Sequence, residues 1–213
     1  MQVAEMRPED LGFSFIRRPR LYIILARRNR IALGADAFSL FRKMQAKACR
    51  QPDAPPAVMA AADKEVLDEE NSARASKGMP PVQQPSRCWR YLLPKSRLSC
   101  LEAHREVGHS EVTASVLDLS QSVQCGRRSV NVPTLRRSTV KPLRLLRHNR
   151  WLVHSELAAM MGFPVSQMWS QAAGVPLDTA TLAGPPAALG NAMHVACVGV
   201  AVACAFTAAR YVD

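Results

Sequence analysis

Negative charge is scarce in this sequence. Against 28 Lys+Arg stand only 17 Asp+Glu in 213 residues, a formal net charge of +11. A chain so basic is expected to meet polyanions, either nucleic acid or an anionic membrane surface. Closely spaced cysteines are also missing. The six, at 49, 88, 100, 125, 197 and 204, form no CxxC pair and no Cys/His ligand spacing, which excludes zinc-ribbon and thioredoxin-type chemistry. No basic-then-apolar leader follows Met1, so the expectation is a chain that is not secreted and keeps reduced thiols in a nuclear or cytoplasmic compartment. Internal repeats are absent, and the composition is that of neither a collagen, a coiled coil nor a disulfide miniprotein. Apolar residues are not scarce: 48% hydrophobic against 21% charged is enough for one packed domain, or one with a small appendage.

Periodicity and punctuation divide the chain. Arg17, Arg18, Pro19 and Arg20 lead into the apolar run Leu21–Leu25, which predicts a buried strand. Asp36 is placed to cap a helix running to about Arg50, with Ala37, Phe41, Met44 and Ala48 on one face. Prolines at 52, 55 and 56, then at 80, 81 and 85, bracket an acidic helix over Ala60–Ser76, expected as one exposed helix in a solvated, poorly ordered insertion. A weak alternation over Glu111–Leu119 predicts a strand, and Asn149–Met161 a helix stopped by Gly162-Phe163-Pro164. From Gly126 to Arg150 there are eight Lys/Arg and no Asp or Glu, a run suited to phosphates. The small, apolar stretch Ala192–Ala209 is either a marginal C-terminal membrane anchor or a buried helix. A final helix is expected from Asn191 to about Arg210.

Three short blocks stand in an order that matches the motifs of one known family. Arg150, then Glu156 six residues on, then Gly162-Phe163-Pro164 six further on, resembles the ninth motif of the cytosine-5 DNA methyltransferases. Leu189-Gly190-Asn191-Ala192-Met193 resembles the tenth, and Pro133-Thr134-Leu135 the Pro-Thr-Leu/Ile that often precedes the ninth. The segment from Gly12 to Ile24 is similar to the eighth, with Arg18 and Arg20 on its two arginines, Ile16 where that family has Gln, and the glycine one residue out of register. In that family the interval between the eighth and ninth motifs holds the target-recognition domain.

The resemblance implies an α/β fold: an incomplete S-adenosylmethionine-dependent methyltransferase-like core with an inserted irregular α+β target-recognition region. Residues 1–33 would be a partial catalytic core. Residues 34–149 would be the target-recognition-like region, with a disordered linker over about 51–87, and 150–213 would return to the core. By resemblance Arg18 and Arg20 hold the flipped cytosine, Gly190 and Asn191 lie by the S-adenosyl-L-methionine pocket, and Arg150 and Glu156 brace the recognition region. Arg127, Arg128, Arg136, Arg137 and Lys141 are the DNA-contact candidates. Gly190 also permits a tight turn and Asn191 a helix cap whatever the activity. Trp89 and Trp151 are read as core residues rather than stacking platforms.

Half of the family's machinery has no counterpart here. No cysteine follows a proline, so the nucleophile of Pro-Cys-Gln is missing; no two of the ten glycines are two apart, so the Phe-x-Gly-x-Gly cofactor loop is missing; and the Glu-Asn-Val acid is missing, Glu70-Asn71-Ser72 being a chance echo. The expected function is therefore the DNA-recognition half of such an enzyme, inactive alone, completed by a separate or missing N-terminal catalytic half. The alternatives are a non-enzymatic DNA-binding remnant and a basic tail-anchored membrane protein. Resemblance to the tenth motif favours a buried last helix, hence no membrane.

Overall fold

In the computed structural model the described residues are 1–11, 16, 18–27, 29–34, 36–47, 61–106, 116–122, 132–133, 135, 143–146, 148–165, 167–172, 174 and 192–212. They mix helices and strands, an α/β structure with three small antiparallel sheets.

The first sheet pairs β1 (Gln2–Met6) with β2 (Arg20–Ile24), Val3 facing Ile23 and Met6 facing Arg20. The expected strand therefore begins at Arg20 and ends one residue early. Its alternation sends Tyr22 and Ile24 inward with Met6, while Leu21 and Ile23 stay exposed, so the strand expected to be buried is buried on one face only. Against that face pack α1 (Ser39–Lys47) and the last helix, here α6 (Val195–Ala208), through Phe38, Phe41, Cys197, Val200 and Cys204. Asp36 does meet the start of α1, its Oδ1 accepting the Phe38 N–H at 3.1 Å. Ala37 and Phe41 are buried as expected, the helix is described as far as Lys47, and Ala48 to Arg50 lie outside the described residues. After α6 the chain runs directly into β7 (Ala209–Tyr211), which pairs with β3 (Ile31–Leu33).

The second sheet centre is β4 (Val116–Asp118), β5 (Leu143–Leu145) and β6 (Arg150–Trp151) in that order. Alternation gives it two buried faces. Val116, Leu143 and Leu145 join one core with Leu152, Leu157 and Met160. Leu117 and Trp151 join another with Trp89, Leu92 and Leu101. Trp89 and Trp151 meet edge to face at 4.4 Å between ring centroids, and both are core residues. A further helix, α3 (Lys95–Glu106), supplies Leu101, and α5 (Gln167–Ala172) follows the Gly-Phe-Pro turn.

Four further expectations need correction. The acidic helix, α2 (Asp63–Ala75), is solvated on one face only: Asp63, Lys64, Asp68 and Ser72 are exposed, while Val66 and Ala73 pack into an apolar cluster and the buried Glu70 accepts hydrogen bonds from the Ser86 N–H and hydroxyl and from Tyr91. The disordered linker fails over 61–87, where helix and return loop are tied together, as by Asn71 donating to the Val82 carbonyl at 3.0 Å. The helix expected from Asn149 starts only at His154 (α4, His154–Met160), since Asn149 turns at φ 53° and Arg150–Trp151 pair as a strand. The closing helix starts at Val195, and Arg210 lies in β7 rather than in the helix's last turn. Among the described residues no helix is long and apolar enough to cross a membrane.

Candidate functional site

Arg150 ends the acid-free run, and Glu156 lies in the first turn of α4. Their side chains form a buried two-pronged pair, Nη1 to Oε2 at 2.8 Å and Nη2 to Oε1 at 2.7 Å. The carboxylate is filled further by the Val153 N–H at 3.0 Å and the Ala61 N–H at 3.4 Å. Val153 has no side-chain acceptor, so one half of a capping box forms, the half supplied by Glu156. The pair binds three elements into one unit: β6, α4 and the residues leading into α2.

The Gly-Phe-Pro at the other end of α4 has a local cause. Gly162 takes φ +80°, the left-handed conformation that glycine adopts without penalty. Its N–H reaches the Ala159 carbonyl at 2.9 Å and the Phe163 N–H the Ala158 carbonyl at 3.1 Å, the two bonds of a Schellman ending. Pro164 then cannot continue the helix. Phe163 packs against the core that holds Leu157 and Met160.

Separate blocks of the chain meet here. The Val195 N–H donates to the Met161 carbonyl at 3.0 Å, which fixes the start of α6 on the end of α4. A Cβ at Gly162 would lie 3.0 Å from the ring of His194, so the glycine is needed for the contact as well as for its φ. Arg18 is 2% exposed and donates through Nη1 to the Leu135 carbonyl at 2.8 Å. Ile16 bridges Val132 in parallel. Burial, then the charge of Arg18, pushes His194 down to about 4, against a backbone hydrogen bond with Met160; the ring is neutral at pH 7.

The candidates of the sequence fall in different places. Arg18 is inside the junction and Arg20 is half-buried at the start of β2, donating to the Pro19 carbonyl. Arg150, Glu156, Gly162, Phe163 and Pro164 all border the α4 unit. Gly190, Asn191, Arg127, Arg128, Arg136, Arg137 and Lys141 lie outside the described residues, as does the Asn191 cap. The acid-free run is not uniformly a free basic surface. Arg150 is paired, and Arg144, 1% exposed, donates to the Asn149 carbonyl and side-chain oxygen.

Two contacts of the junction escaped sequence reasoning. His194 follows Met193 directly, and a histidine within an apolar stretch is its only signal. The Leu135 carbonyl carries no side-chain signal at all. Chemically the junction is a scaffold: its strongest polar pair is saturated and closed to water. Burial pushes Cys197 up to about 12 and also raises Cys204 and Cys100, so none of these three supplies a thiolate at neutral pH. No protein-family model, no curated protein and no solved structure matches the chain.

Proposed function

We propose that this chain is the DNA-recognition half of a cytosine-5 DNA methyltransferase, without methyl transfer of its own. The observation that carries the reading is the meeting of the resemblance's blocks. Arg18 reaches Leu135, the Arg150–Glu156 pair opens α4, and Gly162 closes it against His194 beside the tenth-motif block. Chance matches scattered over the sequence have no reason to share one packed junction. In this reading the junction holds the recognition region in register, Gly190 and Asn191 border the S-adenosyl-L-methionine pocket, and Arg127, Arg128, Arg136, Arg137 and Lys141 meet DNA phosphates. S-adenosyl-L-methionine would supply the methyl group. The half that binds most of it, and that carries the cysteine attacking cytosine C6, is not in these 213 residues.

The test is incorporation of labelled methyl groups into duplex DNA. The chain alone is expected to give none. Addition of an N-terminal half carrying Pro-Cys-Gln and the glycine-rich loop is expected to restore transfer, which Arg20→Ala then reduces. Transfer by the chain alone, abolished by mutating one of its own cysteines, would sink the reading.

A further inference from the structure

We propose that the cavity between the start of α1 and the end of α6 binds a phosphate group. Its volume is about 310 Å³, and its walls include Asp36, Ser39, Lys43, Thr207 and Arg210. Ser39 and Lys43 are one turn apart on α1 and share a face, while Arg210 comes from β7, opposite Ala32 of β3. No hydrogen bond or ion pair among the described residues engages the side chains of Ser39, Lys43 or Arg210. The one carboxylate in the wall is already committed: Asp36 caps Phe38 and pairs with Arg42. Thr207 spends its hydroxyl proton on the Ala203 carbonyl at 2.9 Å. What the cavity offers is therefore a planar fork, a point charge and a hydroxyl, all donors, under net positive charge. That set suits an anion with several acceptor oxygens, and the volume is at the lower end for a small-ligand site.

The phosphate belongs either to a nucleic-acid backbone or to a free phosphate or phosphomonoester. The experiment uses the full chain, with K43Q/R210Q as the variant and K95Q, an exposed cation on α3, as the control. Inorganic phosphate, at ionic strength held constant with chloride, is expected to raise the thermal midpoint of the wild type and of K95Q by several degrees. In K43Q/R210Q the shift is expected to vanish. Both replaced side chains are exposed, so the variant keeps its packing, which an unshifted midpoint in chloride verifies. No shift in the wild type, or a shift kept by K43Q/R210Q, overturns the proposal.

A second arm, resting on the DNA-recognition reading, measures duplex DNA binding by fluorescence anisotropy. Loss of about tenfold in affinity at low salt, with the salt slope smaller by about two, assigns the site to backbone phosphate. Unchanged DNA affinity together with a lost phosphate response assigns it to a free phosphate or monoester. The phosphate arm stands whether or not the chain binds DNA, so the two failures are distinguishable.

Discussion

At the scale of single residues, the largest local effect belongs to the Arg150–Glu156 pair. Both side chains are buried, with 8% and 1% of their surface exposed, so removal of one leaves the other charged without a partner. Glu156→Ala is expected to destabilise the fold by about 3–5 kcal/mol, measured by urea unfolding. Replacement of both by Met is expected to recover much of that loss, because an apolar pair has no charge to strand. His194 makes a pH-dependent counterpart. Its folded value of about 4 lies below its unfolded value near 6.5, so the unfolded chain binds the extra proton between those limits. Stability supplied by the neutral ring is therefore full above about pH 6.5 and is lost as pH falls towards 4, by about 3 kcal/mol at most. His194→Phe is expected to flatten the unfolding midpoint across that window. A variant with the wild-type slope would show that the ring is not the group responsible.

At the scale of elements, α2 tells most about what a sequence carries. Its helical character was legible from composition, its burial was not. Five acidic residues between proline clusters look solvated, yet Glu65, Glu69 and Glu70 face named partners: the Ser155 hydroxyl at 2.6 Å, the Trp151 and His154 rings, and the Ser86–Tyr91 loop. Those partners are hydroxyls, amides and ring nitrogens from distant parts of the chain, so no charge pattern announces them. The same reason hid the junction's Leu135 carbonyl, whereas Glu156 and Gly162 were legible because cap and stop signals are local. Burial alone would raise the Glu70 carboxyl, but hydrogen bonds from Ser86 and Tyr91 outweigh it and hold it below the usual carboxylate range. A folded value below the unfolded one means stability that is present above the unfolded pKa and lost as pH falls through the folded one. Glu70→Gln is expected to destabilise at pH 7 by about 1–3 kcal/mol. It should also remove part of the wild type's loss of stability below about pH 4. Circular dichroism melts from pH 3 to 7 read both effects.

At the scale of the whole molecule, charge and core are only partly kept apart, since Arg18, Glu70, Arg144, Arg150 and Glu156 are all buried. Among the described residues, Ile16, Tyr22, Leu135, Trp151 and Leu157 anchor the recognisable blocks in three apolar clusters, while the chain carries 28 cations against 17 acids. The acid-free run from Gly126 to Arg150 holds eight of those cations, and two of them, Arg144 and Arg150, are buried. A count of charges in sequence cannot separate a phosphate contact from a cation that orders a turn, because burial depends on the pairing of β5 with β6. On the DNA-recognition reading proposed above, the separation has a measurable consequence. Neutralising Arg127, Arg128, Arg136 and Arg137 together is expected to weaken binding to every duplex alike and to flatten the plot of log affinity against log salt by about three to four. Arg144→Gln is expected to do something different. It should lower the unfolding midpoint, since Arg144 orders the Asn149 turn, and leave the salt slope of the folded protein unchanged. Fluorescence anisotropy at several salt concentrations, on variants checked for folding, separates the two. If Arg144→Gln flattens the slope as one of the other arginines does, the buried assignment is wrong. If the fourfold variant keeps the wild-type slope, the basic run does not touch phosphate, and the excess charge must act elsewhere on the surface.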